Sequence, residues 1–146
     1  MQLKISSPAK TIFEWEIKEV ILPTEIGEVK ILPWHTPMVT VLKPWIINLI
    51  PVGSISSNDF IVWKNNLVSL SIWKGMAFVD GKVVKVVISS ATTIPTESIK
   101  ELESKKLKIE EKIKSLRKSG SLEEIERSLI QLDKINADIR LKNLKN

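Results

Sequence analysis

Residues 96–139 read TESIKELESKKLKIEEKIKSLRKSGSLEEIERSLIQLDKINADI, and two heptad stripes run through them. The first places Ile99, Leu102, Lys106, Ile109, Ile113 and Leu116 at spacings alternating between 3 and 4. The second places Leu122, Ile125, Leu129, Leu132, Asn136 and Ile139 at the same spacings. Such spacings put side chains on one stripe of a helix, the a and d positions of a coiled coil. Between the stripes stand Ser119-Gly120-Ser121. Ser121 and Glu124 have the spacing of a capping box that starts a helix, and Gly120 can supply the left-handed end of the helix before it. So short a connection permits only an antiparallel hairpin. Folded back in this way, Leu102 comes opposite Ile139, Ile109 opposite Leu132, Leu116 opposite Ile125 and Ile113 opposite Leu129. The two polar interruptions, Lys106 and Asn136, fall in one layer. A fully buried Leu or Ile stabilises by about 1.5–3 kcal/mol, whereas a Lys/Asn layer weakens the pairing and can fix its register. Either Lys106 snorkels to solvent or the hairpin is built to separate or swing.

Upstream of Ile94-Pro95 the period changes to two. Leu3 and Ile5 alternate with Gln2, Lys4 and Ser6; Val68, Leu70 and Ile72 alternate with Ser69 and Ser71; Val84, Val86 and Ile88 alternate around Lys85. Turn signals separate these runs: Ser7-Pro8, Pro23-Thr24, Pro33, Pro44, Pro51-Val52-Gly53, Ser56-Ser57-Asn58-Asp59 and Asp80-Gly81. Short strands with frequent turns predict an antiparallel β-sandwich or barrel. No helix-period segment separates the strands, which argues against a parallel α/β fold. Asp80-Gly81 suits a type I′ hairpin turn joining Met76–Val79 to Lys82–Ile88. The expected organisation is a β-sandwich over residues 1–91 followed by an α-helical hairpin over residues 95–146.

Composition narrows the function. The 146 residues contain no cysteine and one histidine, His35. Disulfides, thiol catalysis, thiolate metal sites and histidine-rich metal centres are thereby excluded. The scattered Ser and Asp residues form no recognisable triad with His35, and no glycine-rich phosphate loop is present. Net charge is +5, yet the basic hairpin has no aromatic side chains to stack on bases, which disfavours nucleic acid as a partner. Residues 95–146 hold 13 basic and 10 acidic side chains, a mixture typical of solvated helix faces. Met1 to Ile12 carry Lys4 and Lys10 and no continuous apolar core, so no secretory signal is expected. Met38 to Val52, the longest apolar stretch, is broken by Lys43, Pro44, Asn48 and Pro51 and falls short of the roughly 20 residues of a membrane helix. The chain is expected to be intracellular and soluble by itself.

One block is more specific. Gly27-Glu28-Val29-Lys30-Ile31-Leu32-Pro33-Trp34-His35-Thr36-Pro37 is followed closely by Leu42-Lys43-Pro44-Trp45. This resembles the epsilon subunit of F-type ATP synthases, whose segment runs glycine-glutamate, then leucine- or tyrosine-proline-glycine-histidine-x-proline, then lysine-proline-glycine. Phe13-Glu14-Trp15 is similar to the family's phenylalanine-x-glycine. The resemblance covers nearly the whole chain, and the order of β-domain and helical hairpin fits it.

The resemblance implies a non-catalytic subunit of the rotating central stalk that couples ion flow to ATP synthesis. It implies binding to the gamma subunit and to the c-ring, with Glu28, Pro33, His35 and Pro37 at that interface. It also implies a hairpin that can extend and restrain ATP hydrolysis, with Lys105, Lys106, Lys108, Lys112, Lys114, Arg117 and Lys118 available to the acidic surface of the alpha/beta catalytic hexamer. The implied location is peripheral, on the cytoplasmic face of the cell membrane. Some bacterial members bind ATP through an Ile/Leu-Asp-x-x-Arg-Ala motif. The matching Glu97-Ser98-Ile99-Lys100-Glu101-Leu102 lacks it, so no ATP and no other cofactor or metal is expected. The alternative is a scaffold or adaptor binding partners through a coiled-coil hairpin, which leaves the Pro33-Trp34-His35-Thr36-Pro37 block unexplained.

The departures from the family are systematic. Trp15, Trp34 and Trp45 stand where the family has glycine; Trp73 precedes Lys74-Gly75 near a glycine pair; Trp63, before Lys64-Asn65-Asn66, is expected in a hairpin turn. The chain has five glycines and five tryptophans, so glycine is at about half its usual ~7%. Glycine serves where φ is positive or backbones approach closely, places where an indole clashes. A codon read as glycine in the source organism and as tryptophan in this translation accounts for the pattern. The alternative is five genuine tryptophans serving as core or interface anchors.

Overall fold

The computed structural model describes residues 1–56, 60–91 and 94–146. The turn expected at residues 56–59 falls largely outside the described residues. Nine strands precede two helices: β1 Gln2–Ser6, β2 Thr11–Thr24, β3 Gly27–Ile31, β4 Met38–Leu42, β5 Trp45–Pro51, β6 Ile61–Lys64, β7 Leu67–Ile72, β8 Gly75–Val79 and β9 Val83–Ile88, then α1 Ile99–Ser119 and α2 Leu122–Lys145.

The strands follow the order β1-β9-β8-β4-β2-β5-β7-β6, with β3 added on β2 and β1 pairing β2 as well. The 14-residue β2 pairs with four strands, β1, β3, β4 and β5. Its first part pairs with β1, from Gln2 opposite Glu16 to Ser6 opposite Thr11. Its later part pairs with β5 and β3, after a register shift between Ile17 and Glu19. Most pairings are antiparallel, as expected. The exception is β1 with β9, which is parallel, Leu3 opposite Val84 and Ile5 opposite Val86. The period-two residues meet in one core that includes Leu3, Ile5, Val20, Leu22, Val68, Leu70, Ile72, Val84, Val86 and Ile88.

Three local expectations are corrected. In the β8–β9 turn only Gly81 has positive φ, +93°. Asp80 caps the turn instead, its Oδ1 accepting from the backbone N–H of Lys82 at 2.9 Å and of Val83 at 2.7 Å. The two consecutive left-handed residues of a I′-type turn occur at Asn65 and Asn66, between β6 and β7. Trp63 consequently lies within β6, opposite Val68, not in the turn. Gly120 is extended, φ −95° and ψ 167°, not left-handed. Glycine suits it for space: a Cβ there would stand 2.8 Å from the carbonyl oxygen of Leu116.

Both helices start with capping boxes. Ser121 and Glu124 reciprocate as the sequence predicts, and Ser98 and Glu101 do the same for α1. On α1 the predicted stripe is the protected one: Leu102 and Ile113 are buried, and Ile99, Lys106, Ile109 and Leu116 are half-buried. On α2 the stripe is rotated. Ile125, Leu132, Asn136 and Ile139 are half-buried, but Leu122 is 73% and Leu129 40% exposed, while Ser128 is buried. The reason is that α2 has two faces to cover. It packs on α1 and also on β5, β6 and β7, so Ala137 and Leu141 are buried against Ile46 and Val62. Lys106 and Asn136 make no hydrogen bond to each other among the described residues.

Candidate functional site

The loop from Leu32 to Pro37 joins β3 to β4 and lies against the β8–β9 turn. Trp34 donates its backbone N–H to the carbonyl of Gly81 at 2.7 Å, and the Lys82 ammonium stands 5.5 Å from the centre of the Trp34 ring. His35 closes the loop by donating its backbone N–H to Leu32 O at 3.1 Å. Its ring Nδ1 donates to the Thr36 carbonyl at 2.8 Å, which leaves Nε2 to face a partner. Pro33 and Pro37 are exposed, and two prolines in so short a loop stiffen it.

Glu28 is placed apart from this loop. It is exposed on β3, opposite Pro23 and next to the β2–β3 turn. Among the described residues its carboxylate has no ion pair or hydrogen bond, and it makes none with His35. The structure therefore unites Pro33, His35 and Pro37 in one loop, with Glu28 on the strand that leads into it.

Of the five tryptophans, Trp34 alone has a positive φ, +68°, a genuine outlier for a bulky residue. Its indole is 77% exposed. The others have other roles. Trp15 donates Nε1–H to the Val52 carbonyl at 3.1 Å, Trp45 packs beside Ile46 and Val62 with Arg140 over its ring, and Trp63 packs on the main core. Trp73 donates its backbone N–H to Ser90 O at 3.1 Å.

Sequence reasoning missed a surface on the outside of β4, β8 and β9. Val39 is in register with Phe78, Val41 with Met76, and Met76 with Val87. These five side chains are all exposed, Val39 by 61%. The signal was present: Met38-Val39-Thr40-Val41-Leu42 and Met76-Ala77-Phe78-Val79 carry apolar residues at both parities, as strands covered on both faces do. The inward parity, Leu42, Ala77 and Val79, fills the core. An exposed apolar ladder of this kind marks an interaction site.

A second missed cluster lies under α2. Lys134 forms an ion pair with Asp138, and its Nζ donates to Ser71 Oγ at 2.9 Å. Ser71 donates to Asp138 Oδ1 at 3.2 Å. Burial pushes the Lys134 ammonium below the usual lysine range, opposed by the hydrogen bond and charge of Asp138. Among the described residues, no three His, Cys, Asp or Glu side chains are grouped to hold a metal ion. Among them, too, no helix is long and apolar enough to cross a membrane.

Residues 1–94 match the sequence profile of the family described as ATP synthase, Delta/Epsilon chain, beta-sandwich domain. The ATP synthase epsilon chain of Synechocystis sp. is 29% identical over 104 residues, covering 69% of this chain and 68% of the relative. The chloroplastic ATP synthase epsilon chain of Tupiella akineta is 26% identical over 145 residues, covering 99% of this chain and 93% of the relative. In solved structures, a chain of the Euglena gracilis mitochondrial ATP synthase OSCP/F1/c-ring assembly superposes with a TM-score of 0.66 at 17% identity, covering 92% of this chain and 76% of that one.

Proposed function

The chain belongs to the ATP synthase Delta/Epsilon chain family, and on that premise we propose that it works as a structural and regulatory subunit of the F-type ATP synthase central stalk, without a catalytic site of its own. The observation that carries this reading is the uncovered ladder of Val39, Val41, Met76, Phe78 and Val87. It is the outward face of strands whose inward face is already core, and it is the surface on which the gamma subunit docks. Burying it removes apolar area from water, which favours docking.

The Leu32–Pro37 loop and Glu28 face the c-ring. His35 Nε2 and the free Glu28 carboxylate are polar groups suited to polar loops, and a charged acceptor such as Glu28 makes the stronger hydrogen bond. Pro33 and Pro37 hold the loop ready, so less ordering is needed on docking. The hairpin regulates: its basic α1 face meets the alpha/beta hexamer when it leaves the sheet, restraining ATP hydrolysis. No ATP is bound, since the first arginine of the chain is Arg117 and α1 begins without the family's nucleotide motif. The location is peripheral, on the cytoplasmic face of the cell membrane. Trp15, Trp34, Trp45, Trp63 and Trp73 are glycines in the native protein, a reading supported by the left-handed backbone at Trp34.

Depletion and add-back test the function. F-type ATP synthase stripped of this chain should regain ATP-driven ion pumping when the chain is returned. A version ending at residue 94 should restore coupling with faster ATP hydrolysis. Failure of the full chain to restore coupling would overturn the reading.

A further inference from the structure

The sheet face under α2 is unusually polar for a helix-covered surface. Ser69 and Ser71 on β7 are 2% and 0% exposed, and they lie opposite Asn48 and Ile46 on β5. Ser69 donates to Asn48 Oδ1 at 2.7 Å, while Ser71 takes the third corner of the triangle with Lys134 and Asp138. Apolar contact across the same interface is small, with Ile46, Val62, Ala137 and Leu141 as its buried members. Among the described residues the main core has 20 buried members.

We propose that the Lys134–Asp138–Ser71 triangle is a polar latch that fixes where α2 sits on the sheet while keeping its docking reversible. Docked, no buried side-chain nitrogen or oxygen is left unpaired among the described residues. Undocked, Lys134 and Asp138 leave together, because they are four residues apart on the same helix and keep their ion pair in water. Only Ser71 stays behind, and a serine hydroxyl is readily hydrated. Opening therefore strands no charge, whereas an apolar patch of the same size would resist exposure to water. Docking in a shifted position would lose the hydrogen bonds that Ser71 makes with Lys134 and Asp138, and a charged pair taken out of water without them is costly. Specificity of seat and ease of release come from the same three residues. The latch concerns the chain by itself; only its consequence, control of hairpin release in the motor, rests on the function proposed above.

Removing one charge and removing both have opposite expected effects. Lys134→Met leaves the part-buried Asp138 without its cation, and Asp138→Leu leaves Lys134 without its anion; both should favour release strongly. The double variant replaces a buried ion pair by apolar packing, which is commonly neutral or stabilising. The chain has no cysteine, so Glu25→Cys and Lys118→Cys, both at exposed positions, accept a single pair of spin labels. Distances between the labels would be measured in the full chain across sub-denaturing urea, with circular dichroism confirming that the strands remain folded.

The latch predicts a separate undocking step before global unfolding. In each single variant the undocked-to-docked ratio should rise at least about tenfold at a given urea concentration. The double variant should match the unmodified chain or undock later. Ser71→Ala should raise the ratio a few-fold at most, since Lys134 and Asp138 still hold each other. Undocking of the double variant at the same urea as the single variants would overturn the proposal. So would single variants that behave as the unmodified chain, or separation of hairpin and sheet only on global unfolding.

Discussion

The ammonium of Lys142, in the last turn of α2, donates to the carbonyl oxygen of Pro95 at 3.1 Å. It also donates to the carbonyl of Glu97, whose side chain forms an ion pair with Lys105 of α1. One cation thus ties the end of the chain to the segment leading into the hairpin. Hydrogen bonds from a charged donor contribute about 1.5–3 kcal/mol when buried, and less here because the site is only part-buried. Lys142→Met should lower the stability of the hairpin by about 1 kcal/mol. Amide exchange at Ser98 and Leu102 should accelerate while the β7 amides stay protected.

The two capping boxes can be separated by experiment. Ser98→Ala and Ser121→Ala each remove an acceptor from the N3 amide and should each cost about 0.5–2 kcal/mol. The Ser98 change should act mainly on α1, whose partner is α2. The Ser121 change should loosen the helix that also rests on the sheet, and so should lower the melting temperature of the whole chain further. Thermal unfolding followed by circular dichroism compares them.

Acid should act first on the β8–β9 turn and the start of α1. Backbone N–H groups of Val83 and Lys82 hold the Asp80 carboxyl below its usual range, and the Ser98 backbone does the same for Glu101. A carboxylate with a lowered folded pKa contributes stability above its unfolded value, and that stability disappears as pH falls through the folded value. Stability should therefore hold from neutral pH down to about pH 4 and decline below it. Asp80→Asn keeps an acceptor oxygen but no titrating group, so its melting temperature should fall less steeply with acid than that of the unmodified chain.

The backbone at Trp34 distinguishes this residue from the other four tryptophans. A bulky side chain at φ +68° costs roughly 1–3 kcal/mol, and an indole this exposed recovers little by burial. Trp34→Gly should raise the melting temperature, and it should do so more than glycine at Trp45, whose indole packs beside Ile46. Intact mass of the native protein should fall several hundred daltons below the value for five tryptophans. Equality with the tryptophan mass would refute the glycine reading.

How much of this was legible in the sequence depends on how many surfaces an element has to satisfy. The α1 stripe was readable because that helix packs mainly on α2, and Leu102 and Ile113 are buried as their spacing predicts. On α2 the same rule placed Leu129 in the seam, where it is 40% exposed. A helix lying between a partner helix and a sheet has to compromise between two stripes. The serines of β7 read as the polar side of an alternating strand, yet Ser69 and Ser71 are buried because a helix more than 60 residues further along the chain covers them. The loop at His35 was marked as a turn by Pro33, whereas its role came only from the family resemblance. The ladder at Phe78 was not recognised, although its double-faced apolar strands carried the signal.

Docking of the gamma subunit on that ladder is the central claim, and co-purification tests it most directly. The chain and its Met76→Glu/Phe78→Glu variant would each be expressed with the gamma subunit from the same source. Both changes are at exposed positions, so the β-domain should keep its circular dichroism spectrum. The account predicts a one-to-one complex with the unmodified chain and at least about 100-fold weaker binding by the variant, because unpaired carboxylates would be buried in an apolar interface. Equal binding by both, or no binding to a folded gamma subunit by either, would contradict it.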